Sequence, residues 1–341
     1  MPEGKKVVLT GMRTTGSLHL GHYVGALKQW KEIQDSGKHE CYFMLADVQA
    51  LTTHADNPSL LTQSVVEVAK DWLSVGLDPS LPNIHFVLQS QVPERYELSA
   101  LFMMIARYSE VLRNPTLKSE LERQPNASMG FMAYPVDQVA DIYMVNPFPQ
   151  NPGDEVLVPV GEDQVPHLEY ARDLANRFNR DYGPVFTPCK PLVGDIGRLV
   201  GTDGKAKMSK SIGNTIELKD SADVVQKKVL SMFTDPNHLR IEDPGETENN
   251  PVFVYLRAFD PNQKEVEELA AQYRHGGLGD VPVKKRLVSV LNAFLDPIRQ
   301  RRAEYENADI GSILLDGSNK ARESCKTVVQ AVREHMRLVL P

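Results

Sequence analysis

Short apolar runs alternate with amphipathic stretches over the first 200 residues of the chain. The apolar runs predict strands buried on both faces of a sheet, and they occupy residues 6–10, 41–46, 84–88 and 157–160. Between them, residues 21–34, 59–75 and 97–112 carry apolar side chains at the i, i+3, i+4 spacing of helices. Strands that alternate with helices indicate βαβ units, so we predict an α/β fold with a doubly wound parallel sheet of the Rossmann type.

The strand pattern ends after about residue 216. Residues 221–233, 264–273, 283–305 and 320–338 predict helices, and the loops between them are rich in Asp, Pro and Gly. We therefore expect a Rossmann-type domain over residues 1–215 and an all-helical C-terminal domain over residues 216–341. Ligands of a doubly wound sheet bind at the carboxyl ends of its strands, which makes the loops there candidate functional loops.

The composition is that of an ordinary globular protein, with 41% hydrophobic and 24% charged residues among 341. No apolar run approaches the roughly 20 residues that span a membrane, and the first residues are too polar for a secretory signal. Cys41, Cys189 and Cys325 lie far apart, without the spacing of a metal site. These features predict a cytoplasmic protein with reduced thiols and no membrane contact.

The net charge of −7 argues weakly against nucleic-acid binding by the protein as a whole. The C-terminal third is nevertheless uneven, with basic clusters at residues 284–286 and 299–302 and with Arg333 and Arg337 further on. A solvated helix face is the simpler interpretation of these clusters, and a nucleic-acid contact is the functional one.

A loop after the first predicted strand ends at His19-Leu20-Gly21-His22, where a helix is predicted to begin. Gly21 has no side chain, so a flat base can approach the backbone closely. The helix N-terminus offers free N–H groups and partial positive charge to a phosphate. His19 and His22 share one helical face and can both donate to phosphate oxygens. Alone the motif is weak, since two exposed histidines at a helix start would give the same pattern.

A second loop, residues 204–211, carries Lys207 and Lys210 around small side chains, with glycines at 201, 204 and 213. Such a loop can move, and its two cations would suit the charge that develops on a leaving pyrophosphate. Alone, it could equally be a basic surface loop.

Together the two motifs resemble the paired signatures of class I aminoacyl-tRNA synthetases. His19-Leu20-Gly21-His22 resembles their HIGH signature, and Lys207-Met208-Ser209-Lys210-Ser211 reproduces their KMSKS signature. The resemblance implies a Rossmann catalytic domain, ATP with Mg²⁺, an aminoacyl-adenylate intermediate and a tRNA acceptor. Catalytic roles then fall on His19, His22, Lys207 and Lys210, and no protein ligand for a metal is implied.

The same resemblance implies ATP contacts from both signatures, from the turn at Gly161-Glu162-Asp163 against the ribose, and from Lys118 facing phosphate. The full set of expected ATP-binding residues is Arg13, Thr14, Thr15, Gly21, His22, Lys118, Gly161, Glu162, Asp163, Leu199, Lys207, Met208, Ser209, Lys210 and Ser211.

The amino-acid site is expected on a helix that carries Tyr134, Gln138 and Asp141 on one side. This helix resembles the one that lines the side-chain pocket in the tryptophanyl and tyrosyl branch. An indole N–H donates and cannot accept, so the carboxylate of Asp141 is a suitable partner for it. The resemblance adds Gln164 for the substrate ammonium, Val158 and Val160 as the ring wall, and Gln49.

Within that branch the resemblance is closest to tryptophanyl enzymes and extends from residue 6 to about 338. It implies L-tryptophan and tRNA(Trp) as substrates. Arg13, Gln49, Gln138 and the first signature depart from the commonest bacterial pattern and resemble a second, divergent bacterial form. A tyrosyl enzyme, a non-catalytic paralogue and a small adenylyltransferase stay open as alternatives, although the last would not need the pocket helix or the helical tail.

The resemblance also implies a homodimer that uses the connecting segment at about residues 93–128, and an anticodon-recognition role for residues 216–341. The basic C-terminal clusters would then meet the anticodon end of the tRNA. Residues 146–155 read as an insertion to which the sequence assigns no function.

Overall fold

One five-stranded parallel sheet organises the first part of the chain. The structure, a computed structural model, describes residues 6–122, 124, 126–146, 154–194 and 199–339. The strands are β1 (Lys6–Arg13), β2 (Glu40–Ala46), β3 (Ile84–Leu88), β4 (Glu155–Val160) and β5 (Cys189–Val193). Their order is β3-β2-β1-β4-β5, and every neighbouring pair is parallel. The predicted Rossmann-type sheet is confirmed.

The last strand, β5, was not predicted. Its sequence Cys-Lys-Pro-Leu-Val contains a lysine and a proline, which break the apolar run that marks the other strands. Because β5 is the edge strand beside β4, the proline is tolerated there.

The order of the strands reverses at β1, which has β2 on one side and β4 on the other. At such a switch point the connections leave in opposite directions, and a crevice opens beyond the carboxyl ends of the two strands. The loop after β1 holds the first signature, and the turn at Gly161 follows β4, so the topology brings both to this crevice.

Helices cover both faces of the sheet and make up the C-terminal part. Those before β4 are α1 (Leu20–His22), α2 (Lys28–Asp35), α3 (Asp47–His54), α4 (Pro58–Ser74), α5 (Glu94–Ile105), α6 (Tyr108–Val111), α7 (Pro115–Leu121) and α8 (Met129–Tyr143). Those after it are α9 (Val165–Tyr182), α10 (Ala222–Leu230), α11 (Pro251–Phe259), α12 (Gln263–His275), α13 (Asp280–Glu304) and α14 (Ile310–His335). The predicted helical C-terminal region is confirmed.

Several helix boundaries differ from the prediction. The helix predicted over residues 21–34 is α1 and α2 joined by a π-helical turn at Tyr23–Leu27. The helix predicted over 97–112 is broken where Ala106 adopts an extended conformation. The predicted insertion at 146–155 lies almost wholly outside the described residues, which resume at residue 154.

The last helix, α14, packs on the sheet of the first part of the chain although it follows the C-terminal helices. A side chain at Gly317 would place its Cβ 2.1 Å from the backbone oxygen of Phe86, so the helix lies directly against β3. Leu88 N–H donates to Ser318 Oγ at 2.9 Å. Ala321 and Cys325 share one hydrophobic core with β1, β2 and β4.

The opposite face of the sheet carries a second core, where Trp30 stacks on Phe43 with ring centroids 5.2 Å apart. Trp72 packs edge-on against Phe86 in the same cluster. This core continues into the C-terminal helices, which include the buried Tyr255 and Leu291. Within the described residues, no helix is long and apolar enough to cross a membrane.

The basic clusters of the C-terminal third make contacts within the chain. Lys284 Nζ donates to Met232 O at 2.7 Å. Arg286 pairs with Asp260 at 2.8 Å. Further contacts join Arg301 to Ser74 O, Arg302 to Glu67 and Asp71, and Arg299 to Asp296 and Asp220 O. Each of these side chains is therefore held by a contact within the chain, to carboxylates for Arg286, Arg299 and Arg302 and to neutral oxygens for Lys284 and Arg301, so they do not form a freely solvated helix face.

Candidate active site

Two connected cavities lie at the carboxyl ends of β1 and β4. The inner cavity has a volume of about 380 Å³ and the outer cleft about 1170 Å³. Met12, Arg13, His22, Gly161 and Lys207 are among the residues that line both. Volumes of this size are typical of small-molecule sites, and the shared lining residues show that the two cavities adjoin.

The first signature forms the floor of the outer cleft. His19 precedes α1 as its N-cap residue, and its backbone N–H donates to His22 Nδ1 at 3.2 Å. Because Nδ1 of His22 accepts, its proton lies on Nε2, which makes the ring a donor on its far side. The two rings lie with centroids 3.8 Å apart. A Cβ at Gly21 would lie 3.0 Å from the His19 ring, so a side chain at this position would crowd that ring.

Both histidines are held in the neutral form. Burial, followed by the charges of Lys210 and Lys207, lowers the pKa of His19 to about 4. Burial, followed by the neighbouring His19, Lys210 and Lys207, holds the pKa of His22 well below its usual value. A neutral imidazole still donates one N–H, and His19 Nδ1 is buried without a hydrogen-bond partner. The histidines can therefore donate to a phosphate oxygen without adding a positive charge to the site.

The second signature lies across the first. Lys207 pairs with Val200 in a short antiparallel bridge, and Met208 is buried against the core. Lys210 Nζ donates to Thr15 O at 2.9 Å, in the loop after β1. Leu20 N–H donates to Ile216 O at 2.9 Å. The tertiary structure thus places two motifs that are distant in sequence on opposite sides of one cleft.

The inner cavity is walled by α8 and by β4. Gln138 and Asp141 of α8 and Val158 and Val160 of β4 line it. The Oε1 atom of Gln138 is buried without a hydrogen-bond partner. Unpaired buried polar atoms are rare in folded proteins, so this atom marks a place where a donor from a ligand fits.

Asp141 is almost completely buried and its carboxylate is held from two sides. Arg95 Nε lies 2.6 Å from Oδ1, and Gln89 Nε2 donates to Oδ1 and Oδ2 at 3.0 and 2.9 Å. Burial raises the pKa of Asp141 to about 6, against the opposing effect of Arg95. The carboxylate is therefore mainly ionised at neutral pH and retains lone pairs for a donor in the cavity.

Behind the first signature, Asp71 of α4 joins three parts of the chain. It is fully buried and accepts the N–H of Leu18 at 2.7 Å. Arg302 of α13 pairs with it at 2.5 Å and with Glu67 at 2.8 Å. Lys219, which follows the second signature, also pairs with Glu67 at 2.7 Å. This network fixes the backbone just before His19 to the C-terminal helices.

The structure brings together most of the residues predicted from the sequence. Those lining the inner cavity are Arg13, His22, Gln49, Gln138, Asp141, Val158, Val160, Gly161, Gln164 and Lys207. Those lining the outer cleft are Arg13, Thr15, His19, Gly21, His22, Gly161, Glu162, Asp163, Leu199, Lys207, Met208, Ser209 and Lys210.

Four of the predicted site residues are absent from the described linings of both cavities. Thr14 is fully buried, below the cleft surface. Lys118 is exposed on α7, and neither cavity lining includes it among the described residues. The hydroxyl of Tyr134 donates to Glu120 at 2.8 Å, away from the inner cavity. The side chain of Ser211 lies outside the described part.

Sequence reasoning missed further lining residues, among them Gln29, Trp30 and Met44 of the inner cavity and His54 of the outer cleft. Gln29, Trp30 and Met44 belong to segments predicted as structural elements, and no motif marks them out. It also missed Arg95 and Gln89, whose contact with Asp141 spans more than 40 residues of sequence. An arginine at an otherwise amphipathic helix start is the only sequence signal for this contact, and it is weak.

Within the described residues, no group of three or more His, Cys, Asp or Glu side chains could hold a metal ion. The carboxylates of Glu162 and Asp163 at the edge of the cleft are the acidic groups among its lining residues. This donor set fits Mg²⁺ carried by nucleotide phosphates and water, which is its usual mode of binding, better than a protein cage.

Comparisons with known proteins agree with this geometry. The model for class I tRNA synthetases of the W and Y group matches residues 1–296. The tryptophan–tRNA ligase of Clostridium longisporum is 47% identical over 338 residues, covering 97% of this chain and 96% of that protein. The corresponding ligase of Streptococcus mutans is 44% identical over 346 residues, covering 97% and 98%.

Two solved structures share the whole architecture. The tryptophanyl-tRNA synthetase of Campylobacter jejuni, complexed with ADP and tryptophan, is 32% identical and superposes with a TM-score of 0.82, covering 97% of this chain and 99% of that one. That of Mycoplasma pneumoniae is 26% identical, with a TM-score of 0.78 and coverage of 98% of both chains.

Proposed function

Because this chain belongs to the class I tRNA synthetases of the tryptophan and tyrosine group, we propose that it is a tryptophan–tRNA ligase. It activates L-tryptophan with ATP to tryptophanyl-adenylate and transfers the tryptophanyl group to tRNA(Trp). The observation that carries this proposal is the pair of connected cavities, one with buried acceptors on α8 and one between the two signatures.

In the first step, a carboxylate oxygen of tryptophan attacks the α-phosphorus of ATP. A new P–O bond forms, and the bond to the bridging oxygen of pyrophosphate breaks. The carboxylate is already ionised, so no protein base or nucleophile is needed, and the chain acts by positioning and electrostatics. The connected cavities support this, because the amino acid in one and the nucleotide in the other would meet at their shared wall.

The neutral His19 and His22 donate to phosphate oxygens, and the cationic Lys207 and Lys210 neutralise the charge that develops on the departing pyrophosphate. Mg²⁺ bound to the phosphates supplies further neutralisation of that charge. The hydrogen bond from Lys210 to Thr15 O ties the second signature to the loop after β1, and releasing it would free the ammonium for phosphate.

In the second step, a terminal hydroxyl of the tRNA takes the acyl group from the adenylate. We assign anticodon recognition to the region of residues 216–341. Arg286 and Arg302 pair with carboxylates of the chain and Arg301 donates to Ser74 O, so we place the tRNA contact on other basic side chains of this region. Homodimer formation through residues 93–128 is part of the proposal, supported by exposed Met104 and Tyr108, each 74% exposed.

ATP–pyrophosphate exchange with tryptophan and tyrosine in parallel tests the first step. Exchange with tryptophan and at least about 100-fold less with tyrosine is expected, since a pocket that binds a polar ring atom rejects mismatched rings strongly. Exchange with tyrosine instead would keep the reaction and change the substrate. Absence of exchange with both amino acids would refute the proposed enzyme and favour a non-catalytic paralogue.

A further inference from the structure

A buried charge cluster lies behind the acceptor wall of the inner cavity. Arg95 of α5 is 0% exposed and contacts two carboxylates of α8, Asp137 and Asp141, at 2.6 Å each. Asp137 and Asp141 are four positions apart and therefore share one side of the helix. One guanidinium faces two carboxylates, so the cluster carries a net charge of −1 when all three groups are ionised.

The two carboxylates are not equivalent. Asp137 is satisfied by the chain itself, because Arg95 pairs with it and Ser99 Oγ donates to it at 2.7 Å. Its side chain is also 24% exposed and reaches water. Asp141 has a side chain only 4% exposed, is reached by Arg95 and Gln89, and lines the inner cavity. The one negative charge of the cluster that Arg95 does not neutralise therefore lies on Asp141, at the cavity wall.

Gln89 is itself held in place, because its Oε1 accepts the N–H of Gln49 at 3.0 Å. Its amide nitrogen is thereby turned toward both oxygens of Asp141. Gln89 thus holds the carboxylate by hydrogen bonds, and Arg95 lies against it as an ion-pair partner. Next to it, the unpaired Oε1 of Gln138 offers a second acceptor. The cavity wall therefore offers two acceptors to a ring substituent.

We propose that Arg95 and Gln89 are positioning residues that hold the Asp141 carboxylate ionised and aimed at the inner cavity, so that the site selects an amino acid whose ring carries an N–H donor. This inference rests on the proposed function and goes beyond it, since it assigns the selectivity to residues that do not themselves line the cavity. An indole N–H has one proton to donate to one of these acceptors and no lone pair in the ring plane to set against the other. A phenolic oxygen would bring its own lone pairs against them.

The test compares tryptophan with 3-(benzothiophen-3-yl)alanine, in which sulfur replaces the ring N–H in a ring of similar shape. Pyrophosphate exchange is measured with both amino acids for the unmodified enzyme and for Arg95→Met. In the unmodified enzyme we expect kcat/KM for tryptophan to exceed that for the analogue by about 100-fold. In Arg95→Met this ratio falls at least tenfold, mainly through a higher KM for tryptophan, while kcat for the analogue changes little.

Arg177→Met is the matched control, because Arg177 also forms a largely buried pair, with Glu110 at 2.7 Å, away from both cavities. It tests whether loss of any such pair changes the ratio, and we expect the ratio to stay within threefold of that of the unmodified enzyme. If Arg95→Met keeps the full ratio, or Arg177→Met loses it equally, the inference is overturned.

Gln89→Met keeps the inference testable if Arg95→Met does not fold. This substitution removes the neutral donor to Asp141 and keeps the buried pair of Arg95 and Asp141. We expect the ratio of kcat/KM for tryptophan to kcat/KM for the analogue to fall about threefold to tenfold. An unchanged ratio in this variant overturns the inference. Failure of the unmodified enzyme to exchange with tryptophan at all would instead refute the proposed function, so the two failures are distinguishable.

Discussion

Replacing Arg302 by methionine should destabilise the protein in a pH-dependent way. Arg302 is the cation that faces Asp71, whose side chain is completely buried. Burial already raises the pKa of Asp71 to about 6 despite Arg302. Without the guanidinium, the ionised carboxylate would be buried beside Leu18 N–H alone, and its pKa would rise further.

The magnitude follows from the loss of one partner of a buried pair, which costs about 3–5 kcal/mol. Each additional rise of one pKa unit at Asp71 contributes about 1.4 kcal/mol of that loss at high pH. In the folded unmodified protein the carboxyl of Asp71 is mainly protonated below its pKa of about 6, so the Asp71 part of the loss is nearly absent at pH 5 and grows as the pH rises above about 6. We expect a loss near 4 kcal/mol at pH 8 and about 1 kcal/mol at pH 5, where only the other contacts of Arg302 contribute.

The charged groups around Asp71 do not reverse this sign. Glu67 also pairs with Arg302, and its pKa is lowered partly by that charge, so its contribution is likewise lost at high pH. Lys219 adds a smaller favourable charge that is present at both pH values. Burial lowers the pKa of Lys210, and the charges of Glu217 and Asp71 oppose this effect.

The measurement is urea unfolding of both proteins at pH 5 and pH 8. Arg180→Met serves as the control, since Arg180 forms an exposed pair with its neighbour Asp181 and its loss should cost less than about 1 kcal/mol at both pH values. An equal loss for Arg302→Met at the two pH values, or a loss no larger than that of the control, would refute the reasoning.

Three further outcomes are expected. Lys210→Ala should lower kcat for pyrophosphate exchange about 100-fold and leave the KM for tryptophan nearly unchanged. The control Lys205→Ala, in the same loop but outside the lining of both cavities, should have little effect on either constant. A loss of kcat within threefold for Lys210→Ala would contradict the role of Lys210 as a clamp on pyrophosphate. Burial lowers the pKa of His19 to about 4, so protonation of this ring favours the unfolded state below pH 6.5. As the pH falls from 6.5 to 4, the free energy of unfolding of the unmodified protein should therefore fall by about 3 kcal/mol more than that of His19→Gln, measured by urea unfolding. If the two free energies change equally with pH, the assignment is wrong. Gly317→Ala should lower the free energy of unfolding by about 3 kcal/mol, because the new Cβ meets the Phe86 backbone at 2.1 Å, and a variant as stable as the unmodified protein would show that α14 does not lie against β3.

Local pattern sufficed for much of the fold and for the catalytic chemistry. The apolar runs of β1 to β4 are buried on both faces, and such strands leave a direct trace in the sequence. The two signatures are contiguous, so their residues and spacing could be recognised before any contact was known. The proline in β5 and the extended Ala106 left no such trace, and the elements there were missed or joined.

Only the tertiary structure decided which residues far apart in sequence are in contact. Sequence placed Asp141 on a pocket helix, but the burial of Arg95 and its pairing with that carboxylate depend on how α5 packs against α8. The sequence likewise left Arg302 as either a solvated surface cation or a nucleic-acid contact, whereas the fold places it against Asp71, 231 residues earlier. Periodicity and motifs report interactions within one element. The pairing of buried charges depends instead on which elements pack together. For Arg95 and Arg302 the sequence carries no local signal of that pairing.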